Sequence, residues 1–138
     1  MMNIDNYKQA IAWLHGNLAE LQITPGDPCV QLAVLQSFEV TYNLSEAILR
    51  EAYVALGTDE YAAYLSLREL IWRASEDGLR LSSRRNWMQY GLVLETMREG
   101  FSLSADSSIA DAGEFLSRFA DELESFANCI QRRLVSNG

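Results

Sequence analysis

Apolar residues recur along this chain at steps of three and four, the spacing that gathers side chains on one face of an α-helix. Tyr7, Ile11, Leu14, Leu18 and Leu21 form the first stripe. Asn3 or Asp5 can cap its start, and Thr24-Pro25-Gly26-Asp27 breaks it. Asp27-Pro28 then reads as an N-cap followed by proline at the first helical position, where a missing N–H costs nothing. The spacing predicts a second helix from about Pro28 to Leu56, ended by Gly57. It carries two apolar stripes. Val30, Val34, Phe38, Thr41 and Ile48 lie on one side, and Leu32, Leu35, Tyr42, Leu49, Tyr53 and Leu56 on another. A helix apolar on two sides is central to its bundle or sits at an interface. Gln36, Glu39, Asn43, Glu46 and Arg50 form its polar stripe.

Residues 58–65 are ambiguous between a loop and a short helical turn. Ser66-Leu67-Arg68-Glu69 is a capping box, with Leu65 and Leu70 at hydrophobic-staple positions. A short helix follows to about Asp77, with Gly78 as its stop. Ser82 or Ser83 can cap a fourth helix whose common face holds Trp87, Tyr90, Leu94, Met97 and Phe101. Arg84 and Arg85 fall in its first turn, where the helix dipole disfavours cations. The last helix has the most regular pattern: Ile109, Ala112, Leu116, Phe119, Leu123, Phe126, Ile130 and Leu134, capped by Ser107 or Ser108. No strand-like alternation competes. The pattern predicts one all-α domain spanning residues 1–138.

Composition narrows this further. The chain has 138 residues, enough for one domain with a real core and too few for two ordinary ones. No uninterrupted apolar run exceeds that from Ala52 to Leu56, so no membrane span is expected. The first twenty residues include Asp5, Lys8 and Glu20 and lack a signal-peptide core, which predicts a cytoplasmic protein. A net charge of −8 argues against a broad basic footprint on nucleic acid. Cys29 and Cys129 read as free thiols.

Candidate chemistry is sparse. His15 is the sole histidine, which removes His-rich metal sites and leaves it as a partly exposed structural side chain on the first helix. The glycines are scattered and form no phosphate loop. Glu114, Asp121, Glu122 and Glu124 read as the solvated face of the last helix, and Trp13, Trp72 and Trp87 as core. Arg98 reads as a surface partner of Glu95, one turn before it. No metal, cofactor or catalytic group is expected. By residue chemistry alone this is a helical bundle that binds something.

One segment says more. Gln36-Ser37-Phe38-Glu39-Val40-Thr41-Tyr42-Asn43-Leu44 resembles the Q-R-F-E-F-T-Y-E-L segment of the nucleotidyltransferase substrate-binding family, a branch of the HEPN helical domains. Ser66-Leu67-Arg68-Glu69-Leu70-Ile71 through Ala74 and Gly78-Leu79 is similar to that family's S-P-R-E-V-I…A…G-L segment. Trp87, with Met97 through Asp106, falls where the family carries W…R-N-L-T-S-H-T-Y. Order and spacing agree from about residue 5 to residue 134.

The resemblance implies a five-helix antiparallel up-and-down bundle that forms a homodimer and assembles with a small nucleotidyltransferase. Many such pairs act as toxin–antitoxin modules. In active HEPN members an Arg and a nearby His cleave RNA. Here Arg98 and Ser102 match, whereas Glu99, Leu103 and Ala105 stand at the Asn, His and Tyr positions. Leucine transfers no protons. The implied role is therefore a non-catalytic subunit that binds the nucleotidyltransferase and helps present its substrate, with any nucleotide or nucleic acid reached through that partner. Glu39, Tyr42, Arg98 and Ser102 would line the groove of this contact, and Phe38 and Trp87 would serve as dimer or core contacts. A residual HEPN-type ribonuclease and a stand-alone dimeric scaffold are the alternatives.

Overall fold

The computed structural model describes residues 4–55, 64–76, 84–103 and 112–137, without the side chains of 67–68, 74–76, 84–85, 100–103 and 134–137. Among the described residues there are five α-helices and no strand. They are α1 (Ile4–Ile23), α2 (Pro28–Ala55), α3 (Leu67–Glu76), α4 (Arg84–Leu103) and α5 (Gly113–Asn137). The expected caps at Ser82, Ser83, Ser107 and Ser108 and the stops at Gly57 and Gly78 lie outside the described residues. So do Leu56 and Ile109.

Pairs across the bundle fix the helix directions. Tyr7 meets Ser45 while Asn17 meets Ala33 and Ser37, so α1 and α2 run antiparallel. Lys8 reaches Gln131 while His15 lies beside Glu124 and Asp121, so α1 and α5 do too. Glu39 meets Arg98 and Tyr42 meets Gly91, which sets α4 antiparallel to α2. The four long helices thus alternate in direction as an all-α bundle, and short α3 packs against α2 and α4.

Local chemistry explains the helix ends. The Cys29 N–H donates to Asp27 Oδ1 at 2.9 Å, so Asp27 caps α2 just ahead of Pro28. The Glu69 N–H donates to Ser66 Oγ at 3.2 Å, which is half of the capping box at α3. Arg50 Nη1 donates to the Leu65 carbonyl at 2.6 Å and ties the entry of α3 back to α2. Gln31 is buried, and its Nε2 donates to the Pro25 carbonyl at 2.7 Å, fixing the α1–α2 turn.

The core follows the apolar stripes. Tyr7, Ile11, Leu14, Leu18 and Leu21 of α1 are all buried. So are Trp87, Tyr90, Leu94 and Met97 of α4, and Leu116, Phe119, Leu123, Phe126 and Ile130 of α5. Five aromatic rings meet around Phe119, which lies 4.9 Å from Phe38, 6.5 Å from Tyr42, 5.9 Å from Trp87 and 4.6 Å from Tyr90 between ring centroids. Phe38 and Trp87 are fully buried within this single chain, so their role is core. The Trp87 indole N–H meets no acceptor among the described residues, and nothing in the structure explains it.

Two expectations need correction. First, the two stripes of α2 are not two separate faces. Leu35, Leu49 and Tyr53 join Val34, Phe38 and Ile48 in one broad buried arc, because α1, α4 and α5 all pack on α2. Among the described residues, the large apolar side chains that α2 leaves exposed are Leu32, Val40 and Val54. Second, only one tryptophan is core. Trp13 and Trp72 are exposed at 44% and 54%. Trp13 sits next to Leu14 in sequence but one helical step off the buried stripe, and sequence adjacency is not shared burial.

The contact between α1 and α2 is polar at its centre. Ser37, Thr41 and Ser45, spaced by four, are buried. Ser45 Oγ donates to the Thr41 carbonyl at 2.6 Å, so its single proton is spent. Tyr7 must therefore be the donor in its 2.6 Å bond to Ser45 Oγ. Asn17 Nδ2 donates to Ser37 Oγ and to the Ala33 carbonyl, and Thr41 Oγ1 donates to the Ser37 carbonyl. Each of these buried polar groups has a partner, as burial requires.

Candidate functional site

A groove of about 350 Å³ runs between α2 and α4, lined by Tyr42, Asn43, Met88, Gly91, Leu92, Leu94, Glu95 and Arg98. Its floor is set by Gly91. A Cβ at that position would lie 2.7 Å from Tyr42 Oη, so only glycine lets the phenol rest against the α4 backbone. The Tyr42 ring stacks on Trp87 at 4.6 Å and 8°, and meets Phe38 edge-on at 6.4 Å and 89°. The hydroxyl end thereby stays at the groove while the ring belongs to the core.

At one end, Arg98 Nη2 donates to Glu39 Oε1 at 2.5 Å across a sequence separation of 59 residues. The two side chains are 45% and 40% exposed. Local spacing points to Glu95 for Arg98, and the fold adds Glu39: α4 faces α2 here, and Glu39 comes within direct reach. Glu95 lines the same groove. Burial, followed by the charges of Glu46 and Glu95, raises the Tyr42 phenol above its usual range. The phenol is therefore a neutral donor at physiological pH.

Three of the four groove residues named from the sequence, Glu39, Tyr42 and Arg98, meet here. Ser102 follows Arg98 by four residues on α4, and its side chain lies outside the described residues. The sequence does not place Asn43, Met88, Gly91, Leu92 or Glu95 at a groove; Asn43 reads only as polar stripe and Glu95 only as a neighbour of Arg98. Leu92 is 64% exposed, and Leu92 and Met88 sit off the α4 apolar stripe, which was the available signal. In chemical terms the groove offers a planar cation, carboxylates, a phenol and an apolar shelf. The Glu39–Arg98 pair is half in water, so opening it costs only about 0.2–1 kcal/mol. Arg98 can then turn to an incoming carboxylate or phosphate.

A second cluster lies across the bundle, where α1 meets α5. His15 faces Asp121 and Glu124, and beside it is a hollow of about 140 Å³. Both carboxylates lie on the exposed face of α5 as expected, at 74% and 60%, and α1 brings the imidazole to them. Glu122 departs from that expectation: it is half-buried and accepts a 2.9 Å hydrogen bond from the Tyr90 hydroxyl.

Comparison of the chain with protein-family models, with curated proteins and with solved structures gave no match. Among the described residues, no helix is long and apolar enough to cross a membrane.

Proposed function

We propose that this protein is a non-catalytic, cytoplasmic helical subunit that forms a homodimer, binds a small nucleotidyltransferase and helps present its substrate, as one member of a toxin–antitoxin pair. The observation that carries the proposal is the meeting of Glu39 and Tyr42 on α2 with Arg98 on α4 at one solvent-open groove. Those residues belong to two separate segments that resemble the nucleotidyltransferase substrate-binding family, and a shared binding surface is what the resemblance implies. A structural ion pair alone would need neither the exposed Leu92 and Met88 nor the phenol end held at the groove. Catalysis is left out because Leu103 stands where active HEPN members place their histidine.

The test is co-purification of the neighbouring nucleotidyltransferase with the wild type and with Arg98→Ala. Loss of a desolvated arginine contact at an interface centre costs about 2 kcal/mol or more, roughly a 30-fold loss of affinity. No association with the wild type at low salt leaves the scaffold alternative. Association untouched by the substitution keeps the partner and removes Arg98 from the contact. The homodimer is read from sedimentation: a species of 15.6 kDa at micromolar concentration contradicts it.

A further inference from the structure

His15 Nε2 is shielded from solvent yet has no hydrogen-bond partner. The groups nearest to it are two anionic oxygens, Glu124 Oε2 at 3.4 Å and Asp121 Oδ1 at 3.8 Å. Both separations are longer than a good N–H···O hydrogen bond. They are close to what a shared ion would impose. Metal–ligand bonds of roughly 2.0–2.2 Å set neighbouring ligand atoms about 3.3–3.6 Å apart in a tetrahedron. One donor atom from each of the three side chains falls within 4.8 Å of the others. Asp121 and Glu124 are three residues apart on α5, so they project from one face one turn apart, and α1 supplies the imidazole from across the seam.

We propose that His15, Asp121 and Glu124 form a binding site for a divalent transition-metal ion, with zinc favoured by the ligand set. One imidazole and two carboxylates suit zinc and its neighbours better than calcium or magnesium, which prefer all-oxygen shells. Three protein ligands leave a fourth position open. Two of the three ligands, His15 and Glu124, also line the hollow that Lys8, Ile11, Ala12 and Asn128 complete. The Lys8 ammonium at this hollow donates to Gln131 Oε1 at 2.6 Å. The ion relieves the repulsion between two adjacent carboxylates in a chain of net charge −8, and it clips α1 to α5. The site shares no residue with the α2–α4 groove.

The test is calorimetric titration of zinc into the full chain carrying Cys29→Ser and Cys129→Ser, so that thiols do not report. Cobalt absorption serves as a second readout of coordination. The expected result is one ion per chain with a tetrahedral cobalt spectrum, and a rise in melting temperature at saturating zinc. Disturbing even an outer partner of a ligand costs roughly 10–100-fold in affinity, so Glu124→Gln should weaken binding at least tenfold. His15→Ala should abolish both the binding and the thermal shift while leaving the helical circular dichroism unchanged. No binding by the folded protein at submillimolar zinc overturns the proposal, as does binding that persists in His15→Ala.

Discussion

Replacing Gly91 with alanine should destabilise this protein, although the same change elsewhere in a helix normally stabilises it. Alanine is favoured over glycine in a helix interior by about 1 kcal/mol. Against that stands the 2.7 Å approach of the new Cβ to Tyr42 Oη, with Cζ at 3.4 Å. An isolated phenol tip would swing aside cheaply. This ring cannot, because it is stacked on Trp87 and set edge-on to Phe38. Overpacking of this kind costs about 1–3 kcal/mol. The net expectation for Gly91→Ala is a loss of about 1 kcal/mol, equivalent to a few degrees in melting temperature. Tyr42→Phe removes the clashing oxygen and leaves only ordinary contact at Cζ. In that background Gly91→Ala should therefore be neutral or stabilising, so the two changes couple by about 2 kcal/mol. Gly16→Ala is the control: nothing lies within 4 Å of a Cβ there, and the change should gain up to about 1 kcal/mol. The assay is equilibrium unfolding in urea on all four variants, with unchanged m-values as the condition for comparing them. Gly91→Ala stabilising as much as Gly16→Ala would refute the packing argument.

Phe119→Ala should cost about 3–5 kcal/mol, a large part of a typical total of about 5–15 kcal/mol, because it removes the ring that four others touch; Leu92→Ala on the exposed shelf should stay within about 0.5 kcal/mol in the same unfolding assay. Burial holds the Tyr7 phenol above its usual range, and burial followed by the bond to and charge of Glu122 does the same for Tyr90. Their folded values lie above the unfolded value near 10, so the stability they confer is full below about pH 10 and is lost as pH rises beyond it, by about 1.4 kcal/mol per unit for each phenol. Tyrosinate absorbance of the native protein should lag behind that of the denatured protein, and superimposable titrations would contradict this. The purified protein should leave single-stranded RNA intact without metal, and cleavage that disappears with Arg98→Ala would reverse the non-catalytic assignment.

The sequence disclosed the elements that obey local rules. The apolar steps of three and four located the buried face of every long helix; Asp27 and Ser66 marked helix starts through short-range hydrogen bonds, and Pro28 through its fixed φ and missing N–H. It disclosed less wherever an outcome depends on which helix comes to lie opposite. Glu95 is in reach of Arg98 by local spacing alone, whereas Glu39 is 59 residues distant and meets it only through antiparallel packing of α4 on α2. His15 is a partly exposed side chain of α1 as its stripe implies, but its neighbours Asp121 and Glu124 are not legible for the same reason, since they arrive on α5. Gly91 stood in plain view as a glycine inside an apolar pattern, but its meaning lies in the Tyr42 hydroxyl that only the tertiary structure brings to it. Trp13 and Trp72 show the converse, for bulk and apolarity alone do not decide burial.

The division of labour around α2 follows from the chemistry of its faces. Toward α1 it presents Ser37, Thr41 and Ser45, whose hydroxyls are bonded within the helix or to Tyr7 and Asn17. A purely apolar seam would tolerate sliding. A polar one does not, because slipping by one turn would strand buried donors at about 1–3 kcal/mol each. The register of α1 on α2 is thereby fixed without contribution from the groove side. Toward α5 and α4, α2 presents Phe38 and Tyr42 to the ring cluster, which fixes depth and orientation through shape. What remains at the edge, Glu39 and the Tyr42 hydroxyl, is held in place by neighbours that do not themselves need the groove. Exchange of Glu39 for another partner of Arg98 therefore leaves the bundle standing, and that is the property the docking surface proposed above requires.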